Sequence, residues 1–595
     1  MSVPIEEYAL LSDCRTAALV SREGSIDWFC PPRLDAASVF GALLGDAEHG
    51  CWSLRPTDPD AAATRHYDGD TFTLVTRWET DEGVAEVRDW MPVAGDRPDR
   101  TDIVREIAGV TGRVEFAQEL RMRFDYARAL PWVHQSGTTG APELTAVAGP
   151  DAVVMRGAAL HPHGHMHTGT VSVASGEHVE LTLTWYPSSQ PAPDGLDLPV
   201  ADLRTRDWWQ EWADGIAPDG PDDAAVRRSL LILRALTNRD TGGIAAAATT
   251  SLPEDFGGER NWDYRYVWLR DAALTLEALL EHGLTEAAWH WRDWLVRAVA
   301  GDPADAQIMY GLAGERDLAE RTVPSLPGYE ASAPVRVGNG ASGQYQADVV
   351  GEVMVTLSAA RRAGLAESHR SWAVERALLK HAETQLDRPD NGLWEIRGEP
   401  RMFTHSRVMM WAAFDRGIRA VEDFGLPGHE DRWSAARDRL REEIDAHGVR
   451  GGAFVQHSDT DEVDASLLLI PQVGYCAADD PRMLATVDRI EKTLMHDGLL
   501  LRYRTTSGVD GLSGAEHPFL ACSFWLVEQY AATGRLAEAR ALMDRLCSFR
   551  NDVGMLSEEY DPVGVRQVGN TPQAFSHLAL VRAADALAAA AQRGR

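Results

Sequence analysis

Asp202-Leu-Arg-Thr-Arg-Asp-Trp-Trp-Gln-Glu-Trp-Ala-Asp-Gly-Ile-Ala-Pro-Asp-Gly-Pro-Asp-Asp223 is where this chain changes character. Leu203 to Trp212 reads as one amphipathic helix. Pro218, Gly220 and Pro221 break it, and Asp222 or Asp223 is placed to cap the next helix. Sequence periodicity differs on the two sides of this stretch, so it divides the chain into residues 1–215, closed by the linker helix, and residues 216–595. Trp208, Trp209 and Trp212 suit stacking on a sugar; a linker helix packed against both domains explains them at least as well.

Toward the N-terminus, short apolar segments are separated by turn residues. Ala17-Ala-Leu-Val-Ser21 and Ile26-Asp-Trp-Phe-Cys30 flank the turn Arg22-Glu-Gly-Ser25. Thr71 to Trp78, Ala85 to Met91, Val114 to Met122 and His178 to Tyr186 follow, several alternating with period two. Alternation of this kind marks half-buried antiparallel strands, and a β-sandwich is expected. Toward the C-terminus the period becomes helical, from Val226 to Leu236, through Ala272 to Leu280, Ala287 to Val296 and Val349 to Leu357. It continues in segments near 371–386, 405–423, 431–446, 481–495, 519–532, 535–549 and 573–592. The loops between them are rich in Trp, Gly, Asp and Arg, where connections are ordinarily short and plain, so a site is expected on them.

Composition narrows the function. With 595 residues, 44% hydrophobic and 25% charged, the chain is globular and too long for one ordinary core. Its 90 acidic against 58 basic residues give a formal charge of -32, which opposes nucleic acid and anionic membranes as partners. Cysteines 14, 30, 51, 476, 522 and 547 form neither a Cys-x-x-Cys pair nor a zinc-spaced cluster, so free thiols, no metal and no cofactor are expected. The first residues lack a basic start with an apolar run, and no uninterrupted apolar stretch is long enough to cross a membrane; a cytoplasmic protein is the expectation. Homo-oligomerisation is left open.

Four loops are candidates for chemistry, the second of them, Leu326 to Asp348, reading first as a structural loop. Gly257-Gly-Glu-Arg-Asn-Trp-Asp-Tyr-Arg-Tyr-Val-Trp-Leu-Arg-Asp271 mixes flat aromatic faces with charged partners for ring hydroxyls, although Arg270 and Asp271 would equally suit a helix N-terminus. Leu326 to Asp348 is glycine-rich without the ending of a phosphate loop. Asn391-Gly-Leu-Trp-Glu-Ile-Arg-Gly398 sets Glu395 beside Trp394, and shielding from water lets such a carboxyl keep its proton near neutral pH. Asn551 to Pro562 offers a second carboxylate at Glu558 or Glu559. His577 reads as a hydrogen-bonded structural histidine. Serine-hydrolase and zinc-protease motifs have no support.

Taken together, Tyr8 to Trp28, Asn261 to Asp271, Gly392 to Gly398 and Leu556-Ser-Glu-Glu-Tyr-Asp-Pro562 resemble the bacterial branch of glycoside hydrolase family 15, which includes glucoamylases, trehalases and related exo-acting α-glucosidases. The resemblance covers nearly the whole chain. It implies an N-terminal antiparallel β-sandwich followed by an (α/α)6 toroid with the site at its loop end. By position, Glu395 matches the general acid and Glu558 the general base. Arg270 and Asp271 match the pair gripping the terminal glucose, and Tyr264, Trp268 and Trp394 match aromatic walls.

The implied function is inverting hydrolysis of a small α-glucoside, trehalose first, with carboxyls about 6.5 to 9.5 Å apart. Maltooligosaccharides or isomalto-linked sugars are the alternative, and a non-catalytic glucan-binding protein or a phosphorylase are readings of another class. Arg397, so close in sequence, would lower the pKa of the acid, and is expected to point to substrate or to another carboxylate. Two segments depart from the family pattern. Gly328-Tyr-Glu-Ala-Ser332 stands where Gly-Tyr-Arg-Gly-Ser is usual, and Gln346-Ala-Asp-Val-Val-Gly351 where Gln-Leu-Asp-Val-Tyr-Gly is. Both are expected to alter the lining of the site's mouth.

Overall fold

The alternating segments are strands, and the one that organises them is Thr101–Arg121, 21 residues long. The computed structural model describes residues 2–93, 99–138, 141–217, 220–511, 514 and 516–593; Pro218 lies outside them. The first half of Thr101–Arg121 pairs antiparallel with Gly83–Trp90 and His178–Pro187. Its second half pairs with Cys51–Pro56 and Met166–Ala174. One strand therefore belongs to both sheets of a sandwich, and fourteen strands are joined through it among the described residues. The crossing point needs glycine. A Cβ on Gly109 would sit 2.1 Å from the Ala174 carbonyl oxygen, and Gly112 has φ of 61° with the Glu82 carbonyl 2.0 Å from its missing Cβ.

Within the sandwich Arg105 is fully buried. It donates from Nε to Asp89 Oδ1 at 2.8 Å, from Nη1 to the Trp52 carbonyl at 2.9 Å and from Nη2 to the Gly24 carbonyl at 2.8 Å. Asp89 is equally buried.

The linker helix is Leu198–Asp214 (α1). Trp209 packs on Phe72 with ring centroids 4.9 Å apart and is 1% exposed, while Trp208 stacks under Arg234, so these tryptophans tie the two parts of the chain together. Then come Asp223–Leu236 (α2), Leu269–Glu281 (α3), Thr285–Ala298 (α4), Asp348–Arg362 (α5), His369–Thr384 (α6), Thr404–Phe424 (α7), Glu430–His447 (α8), Pro481–Leu494 (α9), Leu520–Ala532 (α10), Leu536–Cys547 (α11) and Ala574–Arg593 (α12).

α3, α5, α7, α10 and α12 form an inner ring, each packed on its neighbours, and the 3-10 turn Ala465–Leu469 fills the step between α7 and α10. α2, α4, α6, α8, α9 and α11 surround it. Burial follows the layering: α10 is buried on nearly every face, whereas α8 buries Trp433, Ala436, Leu440 and Ile444, one stripe at helical spacing.

Asp222 occupies the cap position of α2 but makes no capping hydrogen bond; its carboxylate instead accepts two from the Arg540 guanidinium at 2.6 and 2.9 Å. Two charge-assisted bonds to one guanidinium hold the carboxylate there in place of a single cap bond. Among the described residues α12 alone is long and apolar enough by composition to cross a membrane, and 61% of that stretch is buried inside the ring.

Asp89→Ala leaves the Arg105 guanidinium buried and unpaired. Chemical denaturation is expected to show a loss of about 3–5 kcal/mol, the cost of breaking a buried pair from one side.

Candidate active site

Each connection that leads from an outer helix into a full inner helix sends residues to one cavity, at the N-terminal end of the ring. The cavity encloses about 740 Å³ of space with the open mouth included.

The segment from Asn261 to Trp268 builds the first wall. It is extended, so alternate residues face opposite ways. Trp262 and Tyr264 line the cavity while Asp263 and Arg265 are fully buried behind it. Arg265 satisfies all five of its donors there. Nε and Nη2 reach Asp263 at 2.8 and 2.7 Å, Nη1 reaches the Leu34 and Ala36 carbonyls at 3.2 and 2.7 Å, and Nη2 also reaches the Tyr126 hydroxyl at 2.9 Å. Leu34, Ala36 and Tyr126 belong to the N-terminal domain, so this wall is anchored on the sandwich.

Arg270 and Asp271 form the first turn of α3 and also line the cavity. Arg270 donates to Asp271 Oδ1 at 2.7 Å and to the Leu393 carbonyl at 2.8 Å. Both readings of this pair, helix terminus and cavity wall, hold at once.

Glu395 sits in a tight turn with φ of 56°, a left-handed conformation that a side chain rarely adopts. Its Oε1 accepts from Trp268 Nε1 at 2.5 Å and lies 3.9 Å from Arg270 Nη1. Burial raises its pKa, against the opposing pull of Arg270 and the Trp268 hydrogen bond. The ring bonded to it is thus Trp268; Trp394 lines the cavity too, and packs its ring against Tyr503, Phe519 and Trp525. Arg397 turns to Glu320 at 3.2 Å and lies 4.0 Å from the Trp262 ring centroid, so it points to another carboxylate, at the cavity mouth.

Glu558 faces the cavity from the segment before α12. Its Oε1 accepts from the Tyr264 hydroxyl at 2.8 Å, and its buried Oε2 has no hydrogen-bond partner. The Tyr264 and Trp268 rings, which hold Glu558 and Glu395, meet edge to face at 5.4 Å. Gly569, with φ of 82°, leaves the space Glu558 fills: a Cβ there would lie 2.8 Å from Glu558 Oε2. His577, fully buried, accepts from the Leu556 N–H at 3.0 Å, fixing the chain two residues ahead of Glu558; burial pushes its pKa down to about 3. Glu559 does not line the cavity. It lies 3.5 Å from Arg502 and accepts from the His517 N–H.

Behind Glu558 is a buried network that sequence reading did not single out. Arg502 contacts Glu254 at 3.0 Å and Glu516 at 2.9 Å, and Arg260 contacts Glu516 and Asp510, both at 2.5 Å. These residues are scattered over ~260 positions and no local pattern joins them; Arg260 and Trp262 fell inside a quoted motif, which was the available signal. Burial raises the pKa of Glu558, Glu254 raises it further, and Arg502 opposes the rise.

Among the described residues, neither 328–332 nor 346–351 lines the cavity. The first packs on the N-terminus through Tyr329 Oη to the Val3 carbonyl, and Ala331, where the family pattern has glycine, carries φ of 63°. In the second, Gln346 and Ala347 are buried.

Residues 220–585 match the family model described as glycosyl hydrolases family 15, and residues 1–157 match one described as trehalase-like, N-terminal. A trehalase of Mycolicibacterium smegmatis is 37% identical over 98% of this chain and 90% of its own length. One of Thermoplasma volcanium is 31% identical over 98% and 93%. In fold, a bacterial glucoamylase solved with acarbose superposes with a TM-score of 0.73 at 12% identity, covering 99% of this chain and 94% of the other.

Glu254→Gln removes a negative charge facing Glu558. The Glu558 carboxyl band, isolated by infrared difference against Glu558→Gln, is expected to titrate roughly one pH unit lower than in the parent; an unmoved or raised titration would contradict the network described.

Proposed function

The chain belongs to glycosyl hydrolases family 15 and is a glycoside hydrolase, and we propose that it cleaves trehalose by inversion, with Glu395 as general acid and Glu558 as general base. The observation that carries this reading is the pair of carboxyls on one cavity, each held by its own aromatic donor and each with a raised pKa. The trehalases that match nearly the whole chain supply the choice of substrate.

One glucose ring enters the cavity, with Arg270 and Asp271 offering charged partners to its hydroxyls and Trp268, Trp394 and Tyr264 its apolar faces. Glu395, protonated, gives its proton to the glycosidic oxygen as the bond from the anomeric carbon breaks. Burial favours that protonated form. A water on the opposite face, its proton accepted by Glu558 Oε2, closes the new bond to the anomeric carbon. The base must be ionised for this step, and Arg502 is the cation that favours ionisation within the carboxyl network. Trp262 and Arg397, at the mouth, face the departing sugar.

For trehalose, inversion yields one β-glucose and one α-glucose in the first turnover, because the departing ring keeps its configuration. Proton NMR of the fresh reaction is expected to show equal amounts; α-glucose alone would mean retention. Glu395→Gln and Glu558→Gln should each lower kcat by orders of magnitude in a folded protein, and near-normal turnover in either would refute its role. A panel of trehalose, maltose, isomaltose and soluble starch decides the substrate, and preference for maltooligosaccharides would replace trehalose.

Arg397→Ala is expected to raise KM for the disaccharide by roughly tenfold, the worth of a charged hydrogen bond. It should leave hydrolysis of an aryl α-glucoside, whose leaving group lacks hydroxyls, nearly unchanged.

A further inference from the structure

Four of the 19 histidines of this chain stand in seven residues, His161-Pro-His-Gly-His-Met-His167, so their concentration needs a local cause. The segment is a β-hairpin of the sandwich domain, remote from the residues that line the active-site cavity. His161–His163 pairs antiparallel with Met166–Ala174 in the register His161 to Thr168, Pro162 to His167 and His163 to Met166. Gly164, with φ of 61°, and His165 make the turn between them.

Successive strand residues face opposite ways and cross-strand partners share a face. His161, His163 and Met166 therefore share one face, and Pro162 and His167 the other. On the first face His161 and His163 are exposed and Met166 is half-buried; on the other His167 is buried and Pro162 exposed. His167 is 8% exposed and lines a pocket with Met122 and Arg123, and burial lowers its pKa. His161 and His163 are exposed, and neither has a hydrogen-bond or ion-pair partner among the described residues. His161–His163 is also an edge strand, paired on one side only, so nothing in the sheet covers it.

Two residues apart on a strand, the histidine Cα atoms are separated by roughly 6.6 Å, and the paired His163 and Met166 bring their Cβ atoms to about 4.5–5.5 Å. Two imidazoles and a thioether on one open face are borderline-to-soft donors that suit copper, nickel or zinc. Calcium and magnesium are excluded as a class, because they need oxygen ligands, and no three His, Cys, Asp or Glu side chains converge on a metal-holding position among the described residues. We propose that His161, His163 and Met166 form a surface binding site for a late transition-metal ion, copper before nickel or zinc. The order follows the general affinity series for nitrogen ligands and the preference of a thioether for monovalent copper. The site needs no movement of the active-site loops and is independent of the sugar chemistry.

The test is titration of the full chain with copper(II) sulfate in a non-coordinating buffer, followed by calorimetry and electron paramagnetic resonance. One copper per chain with nitrogen coupling from imidazole is expected. The exposed pair His161→Ala with His163→Ala should weaken binding by at least roughly tenfold, since even outer-shell changes cost that much, with the circular dichroism unchanged. His134→Ala, an exposed histidine outside the hairpin, should bind as the parent does. Met166→Leu should weaken monovalent copper, read by competition with a chromophoric chelator, and leave nickel(II) unaffected. Parent-like copper affinity in the double histidine variant, or absence of binding by the parent, would overturn the site; parent-like monovalent copper affinity in Met166→Leu would remove Met166 from it.

Discussion

A guanidinium that has nowhere else to go holds this molecule in register. Arg265 lies 0% exposed where the helical ring meets the β-sandwich, and each of its N–H groups has an acceptor, two on Asp263 and three on residues of the N-terminal domain. A charge taken out of water is tolerable only with this degree of satisfaction. Because the segment around it is extended, fixing Asp263 and Arg265 inward fixes Trp262 and Tyr264 outward. Tyr264 then holds Glu558, and Trp268, at the end of the same segment, holds Glu395. The placement of both carboxyls therefore follows from a contact with a domain that supplies no wall of the cavity, which gives the sandwich a physical part in the chemistry.

The second constraint is electrostatic. Glu254, Glu516, Asp510, Glu558 and Glu559 are gathered in one buried region around Arg260 and Arg502. Two cations face five carboxyls there, and burial raises the pKa values of Glu254, Glu558 and Glu559. α3, α5, α7, α10 and α12 all begin at this end of the ring, and the partial positive charge of their first turns eases the crowding. The fold thereby places two raised-pKa carboxyls, Glu395 and Glu558, on one cavity.

Much of this was legible in the sequence, and the exceptions have physical reasons. Amphipathic outer helices and alternating strands announce themselves because each has a wet and a dry side. Ala465–Leu469, the short inner element, has no wet side and hence no period, and it escaped notice. Asp222 looked like a cap, and Arg540, more than 300 residues away, took its carboxylate. Glu395 and Glu558 were found through motifs, and the first also through a tryptophan beside it; yet the ring that bonds to Glu395 is Trp268, far away in sequence. The Glu254, Arg502 and Glu516 network left no trace, since charges that pair across a fold look along the chain like any solvated surface. The divergent segments 328–332 and 346–351 are packed away from the cavity lining.

Asp348, Glu352 and His405, on the inner helices α5 and α7, are each no more than 3% exposed, and the cavity lies at the N-terminal end of that ring. A two-ring substrate must enter with one ring first, and whatever is released at the bottom waits behind whatever is released at the mouth. On the proposed function, the leaving sugar would exit first and the inverted glucose last, and free glucose would compete with the next substrate for the same seat.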